Sequence, residues 1–220
     1  MNYLLFTELA MTAAAAVSFV YGAVKYLRPH KPLYASMIVL GVGCIMIGRA
    51  HTLLRMISGL DTLNLFHVGM LGTVGAFAFF FSANFGQIDS IVDGGEKELL
   101  KYRIIALSGL VIPAVLYVTE LMSPDKRAEK IANGFVAVAV AASSYFHVKH
   151  LLIPDIDYGI VRCQRGYNAL ALIYGILCMI EINTKAYGMI VPDIIVSVLE
   201  CAVTLMIVPM VHRGVLKWSR

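Results

Sequence analysis

Charge is scarce in this chain. Asp, Glu, Lys and Arg together make up 15% of its 220 residues, and hydrophobic residues make up 59%. Soluble domains carry about a quarter of their residues charged, so a water-coated globule is excluded as the class. Cysteine is also sparse. Cys44, Cys163, Cys178 and Cys201 show no CxxC spacing and none falls in a connection on the predicted outer side, so no disulfide framework is expected and they read as small apolar thiols. Tryptophan occurs once, at Trp218. There is no HExxH, no glycine-rich phosphate cradle and no nucleophile–base pair. No catalytic residue, metal or cofactor is therefore assigned.

What the chain does have is long apolar blocks. Each is close to the roughly 20 residues needed to cross about 30 Å of hydrocarbon. Seven spans follow, at Tyr3–Tyr26, Leu33–Leu54, Thr62–Phe85, Arg103–Met122, Ile131–Leu152, Gly166–Lys185 and Ile190–His212. The second needs an argument. Its apolar run ends at Gly48, after only about 24 Å of helix, so crossing requires the helix to continue through Arg49 and His51. The seventh span holds no lysine, which excludes a retinal Schiff base. The first lacks a basic flank and a small-residue cleavage site and carries Glu8, so it is not expected to be a cleaved signal peptide. The expected fold is an all-α, single-domain bundle of seven transmembrane helices spanning 1–220.

Basic residues orient it. Lys25, Arg28, Lys31, Lys97, Lys101, Arg103, Lys149, Arg162, Arg165, Arg213, Lys217 and Arg220 fall on one side, twelve in all; Arg55, Lys126, Arg127, Lys130 and Lys185, five, fall on the other. The positive-inside rule then predicts an outside N-terminus and a cytoplasmic C-terminus in the cell membrane. The Ser123–Lys130 connection dissents. A net charge of +4 fits a basic girdle on anionic lipid, with no nucleic-acid partner.

Ionisable residues inside such spans are costly and mark functional sites. Glu200 lies mid-span between apolar neighbours and needs a proton or a cation beside it. Arg49 is the cation placed well inside a span, which makes Glu200 and Arg49 the leading pair. Glu8, His51, His67, Glu120, Glu181, Asn133 and Asn183 fall in the same predicted outer half. Together they are expected to line a polar pocket open to the outside. The acids and histidines also raise a metal site, which lacks a recognisable ligand spacing.

Other features get structural readings. Gly69, Gly72 and Gly75 recur every third residue and suit close helix packing. Pro113 and Pro209 interrupt the fourth and seventh spans. His147 and His150 share a helical face near the predicted inner end, where His212 also lies. They read as interfacial groups, with an inner metal or haem site as the alternative. Asp155 and Asp157 read as a turn. Gly86–Tyr102 is the longest connection and a place for a cytoplasmic partner, with Asp93-Gly94-Gly95 as its turn. Tyr21, Val24, Lys25 and Leu27 recur in order as Tyr145, Val148, Lys149 and Leu151, the outline of a three-plus-one-plus-three duplication.

The leading functional expectation is a small secondary transporter or carrier for a polar or cationic solute, coupled to protons. A receptor for an outside ligand is the alternative, followed by a membrane-embedded lipid-modifying enzyme. Expected partners are membrane lipid, the solute and a second copy of the chain.

Overall fold

The computed structural model describes residues 2–60, 68–124, 127–154 and 159–218. Among these the chain is all helix, with seven helices long and apolar enough to cross a membrane. We number them α1 (Asn2–Tyr26), α2 (Leu33–Ile57), α3 (Val68–Val92), α4 (Lys97–Leu121), α5 (Arg127–Leu152), α6 (Ile160–Ala186) and α7 (Ile190–Trp218). The chain is thus a multi-pass membrane protein in outline.

The apolar blocks set the helices, and polar chemistry at their ends moves the boundaries. The second helix does run through Arg49 and His51, on to Ile57, about 37 Å in length. The expected long connection at Gly86–Tyr102 is mostly helical instead. After Ser82, α3 widens into a π-helical turn over Ala83–Asp89, then a short α segment, Ser90–Val92. α4 opens with a 3-10 turn, Lys97–Leu99. Between them the Asp93-Gly94-Gly95 turn is as expected: Gly95 takes φ +92°, and its N–H donates to Asp93 Oδ1 at 3.1 Å. A hydropathy reading misses this extension because Asp89 breaks the apolar run without breaking the helix, while Asp93 and Glu96 flank the turn. His67, Asp155, Asp157 and Lys126 lie outside the described residues.

Helix neighbours follow a ring. α1 packs on α2 and α7, α2 on α3, α3 on α5, α5 on α6, and α6 on α7. α4 sits outside the ring, against α5 and α6. Lipid supplies no hydrophobic drive between helices, so close backbone approach and hydrogen bonds hold them. The α2–α3 contact shows how. A Cβ on Gly72 would lie 2.6 Å from both Cys44 O and Gly48 Cα, and one on Gly48 would lie 2.7 Å from Gly69 O. The glycine spacing therefore lets two backbones touch immediately beside Arg49. Between α1 and α7, Ser18 donates to Thr204 O at 2.8 Å, and Tyr26 Oη pairs with His212 Nδ1 at 2.7 Å. The middle of the ring is filled by Phe77, Phe80, Tyr167 and Tyr174, with Ile38 and Val42.

Candidate functional site

Four helices bring charge together near the N-terminal face of the bundle. Arg49 enters from α2. Its Nη1 donates to Glu181 Oε1 at 2.7 Å and its Nη2 to Glu181 Oε2 at 2.5 Å. Nη2 also donates to Glu200 Oε2 at 2.6 Å, and Nη1 lies 3.2 Å from Glu8 Oε2. One guanidinium thus bridges α1, α6 and α7. Its flat fork suits this role, because five N–H donors in a plane can serve several carboxylates at once. A second cation joins the edge of the cluster. Lys185, one turn after Glu181 on α6, donates to Glu181 Oε1 at 2.5 Å.

Burial makes this arrangement expensive to leave incomplete. Glu8 and Glu200 are 1% exposed and Glu181 is 6% exposed. Glu200 Oε1 has no hydrogen-bond partner among the described residues. Asp193 lies two turns before Glu200 on α7 and is buried as well. Its Oδ1 accepts from Thr184 at 3.1 Å, while Oδ2 has no partner among the described residues. Asp193 escaped the sequence reading because it sits three residues into α7, where an acid reads as a helix start. Its spacing of seven from Glu200, two helical turns, was the available signal.

The structure joins some of the expected residues and separates others. Glu200, Arg49, Glu8 and Glu181 converge. His51 follows Arg49 by two residues and is half-buried. Glu120 and Asn133 belong elsewhere: Asn133 Nδ2 donates to Glu120 Oε1 at 2.6 Å, tying α4 to α5. Asn183 donates to Leu116 O at 3.0 Å and Met179 O at 2.8 Å, tying α6 to α4. These three hold the peripheral helix in place, so they form a set distinct from the Arg49 cluster. Within the cluster, the carboxylates of Glu8, Glu181 and Glu200 are turned onto Arg49.

A second polar network lies toward the C-terminal face, and it is larger than expected. His147 and His150 are fully buried rather than interfacial. Asn84 Nδ2 donates to Asn168 Oδ1 at 3.0 Å and lies 2.9 Å from His147 Nδ1. His147 Nε2 pairs with Ser143 Oγ at 2.9 Å. His150 pairs with Asn84 Oδ1 at 3.2 Å and Asp89 Oδ1 at 3.1 Å. Lys149 Nζ then bridges Asp89 Oδ1 at 2.5 Å and Asp93 Oδ2 at 2.6 Å. Arg103 Nε closes the chain on Asp93 Oδ2 at 2.7 Å. The histidine pair on one face of α5 was visible in the sequence, and Asn84 was not singled out. Their convergence was not visible there, because it depends on the π turn and on α3 lying against α5.

No group of three or more His, Cys, Asp or Glu side chains is arranged to hold a metal ion among the described residues. The chain matches no family model, no curated protein and no solved structure.

Proposed function

We propose that this protein is a small secondary carrier in which the Arg49 cluster binds a proton or a small cation in exchange with a polar or cationic solute. The charge count of the cluster carries the reading. Glu8, Glu181 and Glu200 face Arg49 and Lys185, so the five groups, all ionised, hold one net negative charge. Asp193 adds a further acid. An uncompensated buried charge costs several kcal/mol even after relaxation, so the cluster favours a bound proton or cation. Glu200 is its place, since Oε2 is taken by Arg49 and Oε1 is without a partner among the described residues. A cationic solute would compete for the same charge, which is how coupling arises when one site serves both.

The remaining parts agree with this reading. Twelve basic residues against five favour an outside N-terminus, which puts the Arg49 cluster toward the outside of the cell membrane. The ring order sets α1–α2–α3 and α5–α6–α7 as two consecutive runs with α4 outside. That order supports a three-plus-one-plus-three duplication with the cluster between its halves.

Purified protein in proteoliposomes enclosing a pH-sensitive dye tests the reading. A panel of organic cations should drive proton movement in wild type and none in Glu200→Gln. Undiminished movement in that variant, or none in wild type across the panel, overturns it.

A further inference from the structure

The geometry points to a second proton-binding station, at His150 and Asp89, at the opposite end of the bundle from Glu200. It deepens the carrier reading by supplying the other end of a proton path, although the station itself stands on its own contacts.

The two buried histidines differ in what they face. His147 Nδ1 lies 2.9 Å from both an amide nitrogen, Asn84 Nδ2, and an amide oxygen, Asn168 Oδ1, and its Nε2 meets a hydroxyl. A neutral ring satisfies those partners in either tautomer, because a hydroxyl can donate or accept. His150 has no such freedom. Its Nδ1 faces Asn84 Oδ1 and its Nε2 faces Asp89 Oδ1. Both partners are oxygen acceptors. Asn84 is held in this orientation because its Nδ2 donates to Asn168 Oδ1. A neutral imidazole has one N–H, so it would leave one lone pair against an oxygen. With a second proton on Nε2, both contacts become hydrogen bonds.

The backbone is shaped to make this meeting happen. Asn84 and Asp89 are five residues apart, which in an α-helix puts them on faces about 140° apart. They lie within the π-helical turn Ala83–Asp89, whose wider winding brings both onto one imidazole. Single π turns inside α-helices concentrate at functional sites.

The charges around His150 keep the proton exchangeable. From α3 comes Asp89 and from the turn after it Asp93, from α5 Lys149 and His147, and from α4 Arg103, while α6 contributes the neutral Asn168. Two carboxylates already balance Lys149 and Arg103. A proton on His150 therefore completes the hydrogen bonds and leaves one net positive charge. Opposed terms of this kind make a site that loads and unloads. On loading, the proton adds to the Nε2 lone pair. On release it returns to water at the C-terminal face, and the bond to Asp89 breaks.

α6 links this station to the first. Asn168 is buried on it beside His147, and Tyr174, Cys178 and Glu181 follow on another face at spacings of four and three, with about 20 Å of helix between Asn168 and Glu181.

The test is a titration of full-length protein, labelled with 15N-histidine, in lipid nanodiscs. One ring, identified by its absence in His150→Gln, should show protons on both nitrogens in acidified samples and on one nitrogen in alkaline ones. In Asp89→Asn, where the acceptor facing Nε2 loses its charge, the doubly protonated form should be diminished in the same samples. A His150 ring that holds a single N–H in every sample, or that behaves identically in Asp89→Asn, overturns the proposal. The wild-type titration decides the matter if Asp89→Asn does not accumulate. No transport is measured, so the two readings fail separately. A titrating His150 in protein that moves no protons removes the carrier reading alone. Glu200-dependent proton movement beside a non-titrating His150 removes this station alone.

Discussion

Arg49 meets Glu181 through two nearly parallel bonds, Nη1 to Oε1 at 2.7 Å and Nη2 to Oε2 at 2.5 Å, with Glu200 and Glu8 on the remaining sides. Removing the cation would leave three buried carboxylates facing one another. Breaking a buried ion pair from one side costs about 3–5 kcal/mol. Arg49→Ala should therefore lose most of its folded protein. Arg49→Lys keeps the charge but not the fork, so it should fold with a lowered melting temperature. Thermal unfolding in detergent, followed by reaction of buried Cys178 with a thiol-specific dye, measures both. An Arg49→Ala protein as stable as wild type would show that the cluster contributes nothing to the fold.

Two of the three glutamates on Arg49 should respond differently to the same change. Glu200→Gln removes the cluster's surplus negative charge and keeps an oxygen for Arg49, so its stability should stay within about 1 kcal/mol of wild type. Glu181→Gln breaks one prong of the fork and removes the partner of Lys185. Bonds to charged groups contribute about 1.5–3 kcal/mol each, so this variant should be the weaker by a similar amount. Unfolding in parallel by the same thiol assay checks the order. A less stable Glu200→Gln would reverse the assignment of the surplus charge.

The comparison of Glu200 with Glu181 also shows what the sequence conveys and where it stops. Seven helices are legible because lipid demands uninterrupted apolar length, and no soluble fold needs blocks of that size. Glu200 and Arg49 are legible because an ionisable group in mid-span is costly wherever the span points. Glu181 as the principal partner of Arg49 is not legible, since depth along a helix says nothing of rotation or of which helices are neighbours. The same gap grouped Glu120, Asn133 and Asn183 with the cluster. α4 lies outside the ring, and the three instead tie it to α5 and α6. The network at the C-terminal face escapes a sequence reading for another reason. Polar residues near a helix end look solvated until the continuation of α3 past Phe85 covers them.

Close helix approach at Gly72 is separable from the charges it supports. A methyl there meets backbone atoms of α2 at 2.6 Å, which cannot move aside as a side chain could. Gly72→Ala should cost about 1–3 kcal/mol, the range for an overpacked interior, and should weaken the Arg49 cluster by pushing α2 outward. Gly86→Ala is the matched control, because nothing lies within 4 Å of its Cβ position. Melting temperatures of the pair should differ clearly, with Gly86→Ala close to wild type. Equal values would mean that α2 and α3 do not pack as the structure has them.

Asp93 offers a pH test outside the membrane-spanning helices. The Arg103 side chain bonded to it holds its carboxyl well below the usual carboxylate range, with Lys149 and the Gly95 N–H acting the same way and burial opposing them. A carboxyl depressed on folding contributes stability that is fully present above the unfolded value, near 4, and is lost as pH falls from there toward the folded value. Wild type should therefore be more stable than Asp93→Asn at pH 7. The gap should stay constant down to about pH 5 and narrow below about pH 4. Melting temperatures of both proteins between pH 7 and pH 3 give the gap directly. Other acids titrate in the same window, but they are common to both proteins and cancel in the difference. A gap that stays constant to pH 3 would mean that Asp93 is not held by Arg103 in the folded protein.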